Sequence, residues 1–201
     1  GSLLKTINYL IHSYPQIPII LDAKRADIGS TSRLYTKEAF DVFNADAVTV
    51  NPYLGFDSIK PFLERRDKGV IVLCRTSNKS AGDFQDLTIS SNKIPLYLHV
   101  AKKVQEWNKE YGNCMLVVGA TWPEQLKKIR EIAPKMFFLV PGIGAQGGDL
   151  KETLKNGLRE DESGLIINSS RAIIYASSKP NFASAARKEA LKLKEAINKY
   201  R

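Results

Sequence analysis

Apolar residues along the chain fall into short runs, separated by longer stretches in which they recur every three or four positions. The runs occupy residues 19–23, 47–50, 70–74, 115–118, 137–140 and 165–168. They are rich in Val, Ile and Leu, which predicts strands buried on both faces. Pro18 precedes the first run, a place proline tolerates at a strand's start. Helical periodicity fills residues 3–13, 32–43, 56–64, 95–111, 123–133 and 150–156, and a last helix covers 181–200 behind Pro180. Strands that alternate with helical crossovers pair in parallel, which makes the chain an α/β protein.

An open doubly wound sheet and a closed (β/α)8 barrel both satisfy that alternation. The distribution of polar residues favours the barrel. The segments DAKRADIGST, NPYLGFD, RTSNKSAGD, PGIGAQGGD and NSSR lie at or just beyond the C-terminal ends of strands, where a barrel builds its active site. No GxGxxG turn follows the first strand, so the dinucleotide-binding alternative lacks its fingerprint. Six strand–helix units are found in the 201 residues, whereas a barrel needs eight. The chain also opens on a helix. The expectation is therefore a TIM barrel whose first two β/α units are missing, with residues 1–201 forming a single partial domain.

Composition narrows the function classes. No apolar run approaches the ~20 residues of a membrane span, and no secretory signal opens the chain. Cys74 and Cys114 sit inside apolar runs (VIVLC, CMLVV) without metal or redox spacing, which predicts buried thiols in a reducing cytoplasm. His12 and His99 fall in helices with no ligand pattern around them, so no metal site is expected. The net charge of +9 permits an anionic partner. The lysines, however, are spread along helices beside glutamates, which predicts solvated helix faces rather than a nucleic-acid surface. A small phosphorylated substrate suits the charge as well.

The densest chemical signal is LDAKRADIG. Residues two apart on a strand share a face, so Asp22 and Lys24 are expected to point together into the barrel while Leu21 and Ala23 face the helices. Charges placed there are costly unless paired. A structural ion pair is one reading of them; their place at the strand's C-terminal end favours a catalytic one. The loops 141–149 and 168–171 follow the last two strands, the usual phosphate site of a barrel. Gly142, Gly144, Gly147 and Gly148 let backbone amides approach an anion, and Arg171 offers a planar fork to phosphate oxygens.

These segments carry a family resemblance. DAKRADIGST resembles the DxKxxDIxxT motif of orotidine 5′-monophosphate (OMP) decarboxylases. PGIGAQGGD is similar to their loop after the seventh strand, and INSSRAI to their phosphate-binding turn after the eighth. DAVTVNPYLGFDSIKPF, RTSNKSAGDFQDL and LVVGATWPEQL match in the same order, most closely in the longer bacterial-type branch. The resemblance implies conversion of OMP to UMP and CO2 in pyrimidine biosynthesis, without a cofactor or metal. It implies that Asp22 repels the substrate carboxylate and that Lys24 stabilises, then protonates, C6 of the pyrimidine. Asp27 would reach into the neighbouring subunit's site with Ile28 and Thr31 beside it, in a homodimer with shared active sites. Gln146 and Arg171 would grip the phosphate, Pro141 would line the pocket, and Ser77 would read the pyrimidine edge. Ser170 replaces the family's usual glycine before that arginine, so its contact to phosphate departs from the pattern.

The family's ribose-binding aspartate and a further lysine of its charged array have no counterpart in the chain. That leaves two alternatives open: a nucleotide-binding piece without turnover, and a Mg2+-dependent sugar-phosphate lyase of the same barrel group.

Overall fold

The structure, a computed structural model, describes all residues except Asn92 and Ala145. Helix α1 (Ser2–Ser13) leads to strand β1 (Ile20–Arg25) and helix α2 (Gly29–Lys37), which continues as a π-helical segment, Glu38–Val42. Strand β2 (Ala47–Val50), a 3-10 turn (Pro52–Leu54), helix α3 (Phe56–Leu63) and strand β3 (Gly69–Arg75) follow. The next segment holds a 3-10 turn (Lys79–Ala81), helix α4 (Gly82–Gln85) and the short strands β4 (Thr88–Ile89) and β5 (Ile94–Pro95). Helix α5 (Leu96–Tyr111), strand β6 (Cys114–Val118), helix α6 (Pro123–Ile132) and strand β7 (Phe138–Pro141) come next. Helix α7 (Leu150–Gly157), strand β8 (Leu165–Asn168), helix α8 (Arg171–Ile174) and helix α9 (Phe182–Tyr200) complete the order.

All six expected strands form, each end within two residues of its expected place. The expected helices form too, although the one over residues 32–43 begins earlier and ends in the π-helical turn. Periodicity did not predict α4, the antiparallel β4–β5 pair or α8. These are too short to show a period above the surrounding loop.

The residues pack as two compact units, Gly1–Leu73 with Lys103–Met115, and Cys74–Lys102 with Leu116–Arg201. In the first, β2 lies parallel between β1 and β3. All four β2 residues are buried, as strands covered on both faces must be. Phe40 and Phe62, both buried, meet edge to face at 6.5 Å. Asn113 stitches the helix-to-strand turn: its amide nitrogen donates to the carbonyls of Leu63, Arg65 and Lys68 at 3.2, 3.1 and 3.0 Å.

In the second unit β7 lies parallel between β6 and β8. Arg130 of α6 turns inward, unlike a solvated helix charge. Its side chain is buried and satisfied by carbonyls alone: Nε donates to Gly157, Nη1 to Ala133 and Met136, and Nη2 to Gly164. The guanidinium lies 3.7 Å above the Phe138 ring. Burial, together with the nearby Arg159 cation, lowers its pKa to about 10.

Cys74 and Cys114 are buried free thiols, as expected, and desolvation pushes Cys114 up to about 12. No helix among the described residues is long and apolar enough to cross a membrane.

Candidate functional site

The charged cluster of the first unit sits where β1 breaks its register. Leu21 pairs with Val48 and Arg25 with Val50, so four steps along β1 span only two along β2. The surplus is taken up as a bulge in which Lys24 adopts φ +50°, a left-handed conformation that costs a non-glycine residue roughly 1–3 kcal/mol. Asp22 and Lys24 do come together, with Lys24 Nζ 2.7 Å from Asp22 Oδ1. The bulge re-aims them; simple strand alternation does not. The expectation that both are enclosed needs correcting as well, since the two side chains are 50% and 51% exposed. In that setting the mutual attraction is weak, on the order of 1 kcal/mol or less. Each charge therefore stays available to a ligand.

Thr49, on β2 and fully buried, joins this pair. Its hydroxyl accepts the backbone N–H of Lys24 at 2.9 Å and donates to Asp22 Oδ1 at 2.8 Å. Asp27 is held differently. Its Oδ1 accepts the Ile28 N–H at 2.7 Å, its own N–H donates to Ser32 Oγ, and that hydroxyl donates back to the Asp27 carbonyl. Among the described residues Asp27 forms no ion pair, so the structure does not bring it to Lys24. Ile28 is 62% exposed at the start of α2, and Thr31 is half-buried one turn on. Arg25 turns away to Glu38, at 2.8 Å, and stacks on Tyr35.

The second unit collects the other predicted residues. After Pro141 the chain turns at Gly142 (φ +105°), Gly144 (φ +84°) and Gly147 (φ +81°), conformations that glycine adopts without a Cβ penalty. The Gly148 N–H closes the loop onto the Gly142 carbonyl at 3.1 Å. Asp149 then caps α7, its side chain accepting from the Glu152 N–H at 3.0 Å. A methyl placed on Gly142 would lie 3.1 Å from both Gln146 Oε1 and Ser77 Cβ, so Ser77 and Gln146 flank the same backbone turn. A methyl on Gly144 would meet Ala172 Cβ at 3.6 Å and Ser169 Oγ at 3.8 Å, which brings the loops after β7 and β8 side by side. Arg171, at the start of α8, is exposed and has no carboxylate partner among the described residues. The Ser170 hydroxyl accepts from Asn168 Nδ2 at 3.5 Å.

Sequence reasoning missed the scaffold under Ser77. Arg75, fully buried at the end of β3, grips Asp86 through two bonds of 3.0 Å and donates to the Thr76 carbonyl. Its guanidinium lies 4.4 Å from the Trp122 ring centre. Trp122 Nε1 donates to the same Thr76 carbonyl and Thr121 Oγ1 to that of Ser77. An arginine at the end of an apolar strand was the available signal. Among the described residues, no group of three or more His, Cys, Asp or Glu could hold a metal ion.

Comparison with known proteins shows the family. The profile described as "Orotidine 5'-phosphate decarboxylase / HUMPS family" matches residues 2–187. An orotidine 5′-phosphate decarboxylase of Cellvibrio japonicus is 56% identical over 197 residues, covering 98% of this chain and 71% of that protein. Among solved structures, Leishmania donovani UMP synthase matches all of this chain at TM-score 0.87 and 44% identity, while the chain spans 42% of that longer protein. L. donovani OMP decarboxylase matches 98% of the chain at TM-score 0.82 and 43% identity, over 74% of its own length. The OMP decarboxylase neighbour is a (β/α)8 barrel, the class expected from the strand–helix alternation. The chain belongs to the orotidine 5′-phosphate decarboxylase / HUMPS family.

Proposed function

We propose that this chain carries the decarboxylation machinery of an orotidine 5′-phosphate decarboxylase, converting OMP to UMP and CO2 in de novo pyrimidine biosynthesis. The reading rests above all on the Asp22–Lys24 pair at 2.7 Å in the β1 bulge. Heterolysis of the bond between C6 and the substrate carboxylate releases CO2 and leaves an electron pair on C6. The Asp22 carboxylate opposes the substrate's negative charge before that step. The Lys24 ammonium stabilises the developing carbanion and then donates its proton to C6; solvent restores the lysine. Fixed charges aimed at a developing charge are the strongest protein lever for a reaction without a cofactor.

In this reading Gln146 and Arg171 hold the phosphate, with Ser170 beside them. Pro141 lines the pocket and Ser77 reads the pyrimidine edge. The exposed guanidinium of Arg171 and the left-handed glycine turns around Gln146 support the phosphate roles. Phosphate binding supplies energy remote from the reacting carbon, which can be spent at C6.

Residues 1–201 act as one domain in a cytoplasmic homodimer with shared sites. Asp27, Ile28 and Thr31 serve the partner's substrate, a role that the exposed Ile28 side chain supports.

The test is OMP turnover by this chain with EDTA present, alongside stabilisation of the chain by UMP. Turnover that survives the chelator is the expected result. Turnover of a sugar phosphate in place of OMP, and only with Mg2+, would identify a sugar-phosphate lyase chemistry. UMP stabilisation without CO2 release would identify a nucleotide-binding piece.

A further inference from the structure

From the same cluster we infer that Thr49 is a positioning residue for the reaction, acting through both Asp22 and Lys24. The inference rests on the decarboxylase reading and extends it to a residue that does not touch the substrate. A threonine buried between Val48 and Val50 on a central strand gains nothing in packing over valine, which has the same shape. Its hydroxyl is there for what it bonds. Because Thr49 Oγ1 accepts the Lys24 N–H, its own hydrogen is directed to Asp22 Oδ1. That oxygen is also the one that Lys24 Nζ meets. One hydroxyl thus holds the left-handed backbone of Lys24 (φ +50°) and fixes the rotation of the Asp22 carboxylate. Both bonds to Asp22 fall on Oδ1, and among the described residues Oδ2 takes none, so that oxygen is left to face a ligand.

Without Thr49 the half-exposed pair would be free to rotate, and a near-attack geometry would become one of several. A hydrogen bond to a charged group carries roughly a 10- to 100-fold effect. Thr49→Val should therefore lower kcat on OMP about 10- to 100-fold and leave KM within about threefold, since phosphate binding supplies most of the affinity. Thr49→Ser, which keeps the hydroxyl, should restore kcat to within about threefold of the parent chain. A merely structural threonine would lower the melting temperature in Thr49→Val without splitting kcat from KM.

A second readout needs no turnover. Amide hydrogen exchange at Lys24 should quicken about tenfold or more in Thr49→Val, because its N–H loses its acceptor. Unchanged exchange together with unchanged kcat would overturn the inference. If the parent chain does not turn over OMP but Lys24 exchange still quickens, the hold of Thr49 on the Lys24 backbone stands and the decarboxylase reading is what fails.

Discussion

Gly119 lies directly after β6, and its N–H donates to the Arg75 carbonyl at 2.7 Å. A methyl added there would stand 2.6 Å from Ser77 Cα, 2.7 Å from Ser77 N and 2.8 Å from Ser77 Cβ. Carbon atoms in ordinary contact sit at about 3.5–4.0 Å, so Gly119→Ala must open this contact by about 1 Å. The neighbour cannot yield cheaply, because it is main chain. Thr121 Oγ1 bonds the Ser77 carbonyl, and Trp122 Nε1 and Arg75 Nη1 bond the Thr76 carbonyl. Overpacking of that kind costs about 1–3 kcal/mol, which in a chain of this size lowers the melting temperature by about 2–12 °C. If Ser77 reads the pyrimidine, a 1 Å misplacement should also lower kcat/KM for OMP on the order of 100-fold. The assays are a thermal melt with and without UMP and steady-state decarboxylation of OMP. A melt within about 1 °C of the parent chain, with kcat/KM within about twofold, would refute both the packing argument and the role given to Ser77.

Three further outcomes are expected. Lys24→Ala should cut OMP turnover by at least about a thousandfold while UMP still stabilises the chain, because the loops proposed to hold the phosphate are untouched; loss of UMP stabilisation would contradict that division of labour. Arg130→Met strands the carbonyls of Gly157, Ala133, Met136 and Gly164 without their donor. It should cost about 3–5 kcal/mol in denaturant unfolding, and Arg130→Lys should recover only part, since one ammonium cannot span four acceptors. For Cys114 the folded thiol is raised from 9.0 to about 12 by burial. Its contribution to stability is therefore complete below pH 9.0 and lost as the pH rises towards about 12. Urea unfolding of Cys114→Ala should show a shallower fall over that window, and neither native thiol should react with a disulfide reagent at pH 8 until the chain unfolds.

The hydrophobic pattern by itself determined the order of the six long strands and the helices between them. Period and apolarity are local properties that each segment carries whatever surrounds it. Residue type and position likewise singled out Asp22, Lys24 and Arg171 as candidates, whereas Ser77 and Gln146 stood out only through the family resemblance. What the sequence could not disclose is how those residues are held. Alternation along β1 predicted that Asp22 and Lys24 meet, but the bulge that joins them follows from a register set by pairing with β2. Nothing in its local sequence distinguishes Thr49, and only its bonds across to β1, 25 and 27 positions away in sequence, mark it out. Arg75 and Arg130 carry no local mark of their burial, which only their partners reveal. Trp122 lies across the Arg75 guanidinium, and the Gly164 carbonyl that Arg130 bonds is 34 residues away. Local patterns choose secondary structure. Long-range hydrogen bonds, which form only once loop closure has been offset by packing, decide where a charged side chain finds its partner.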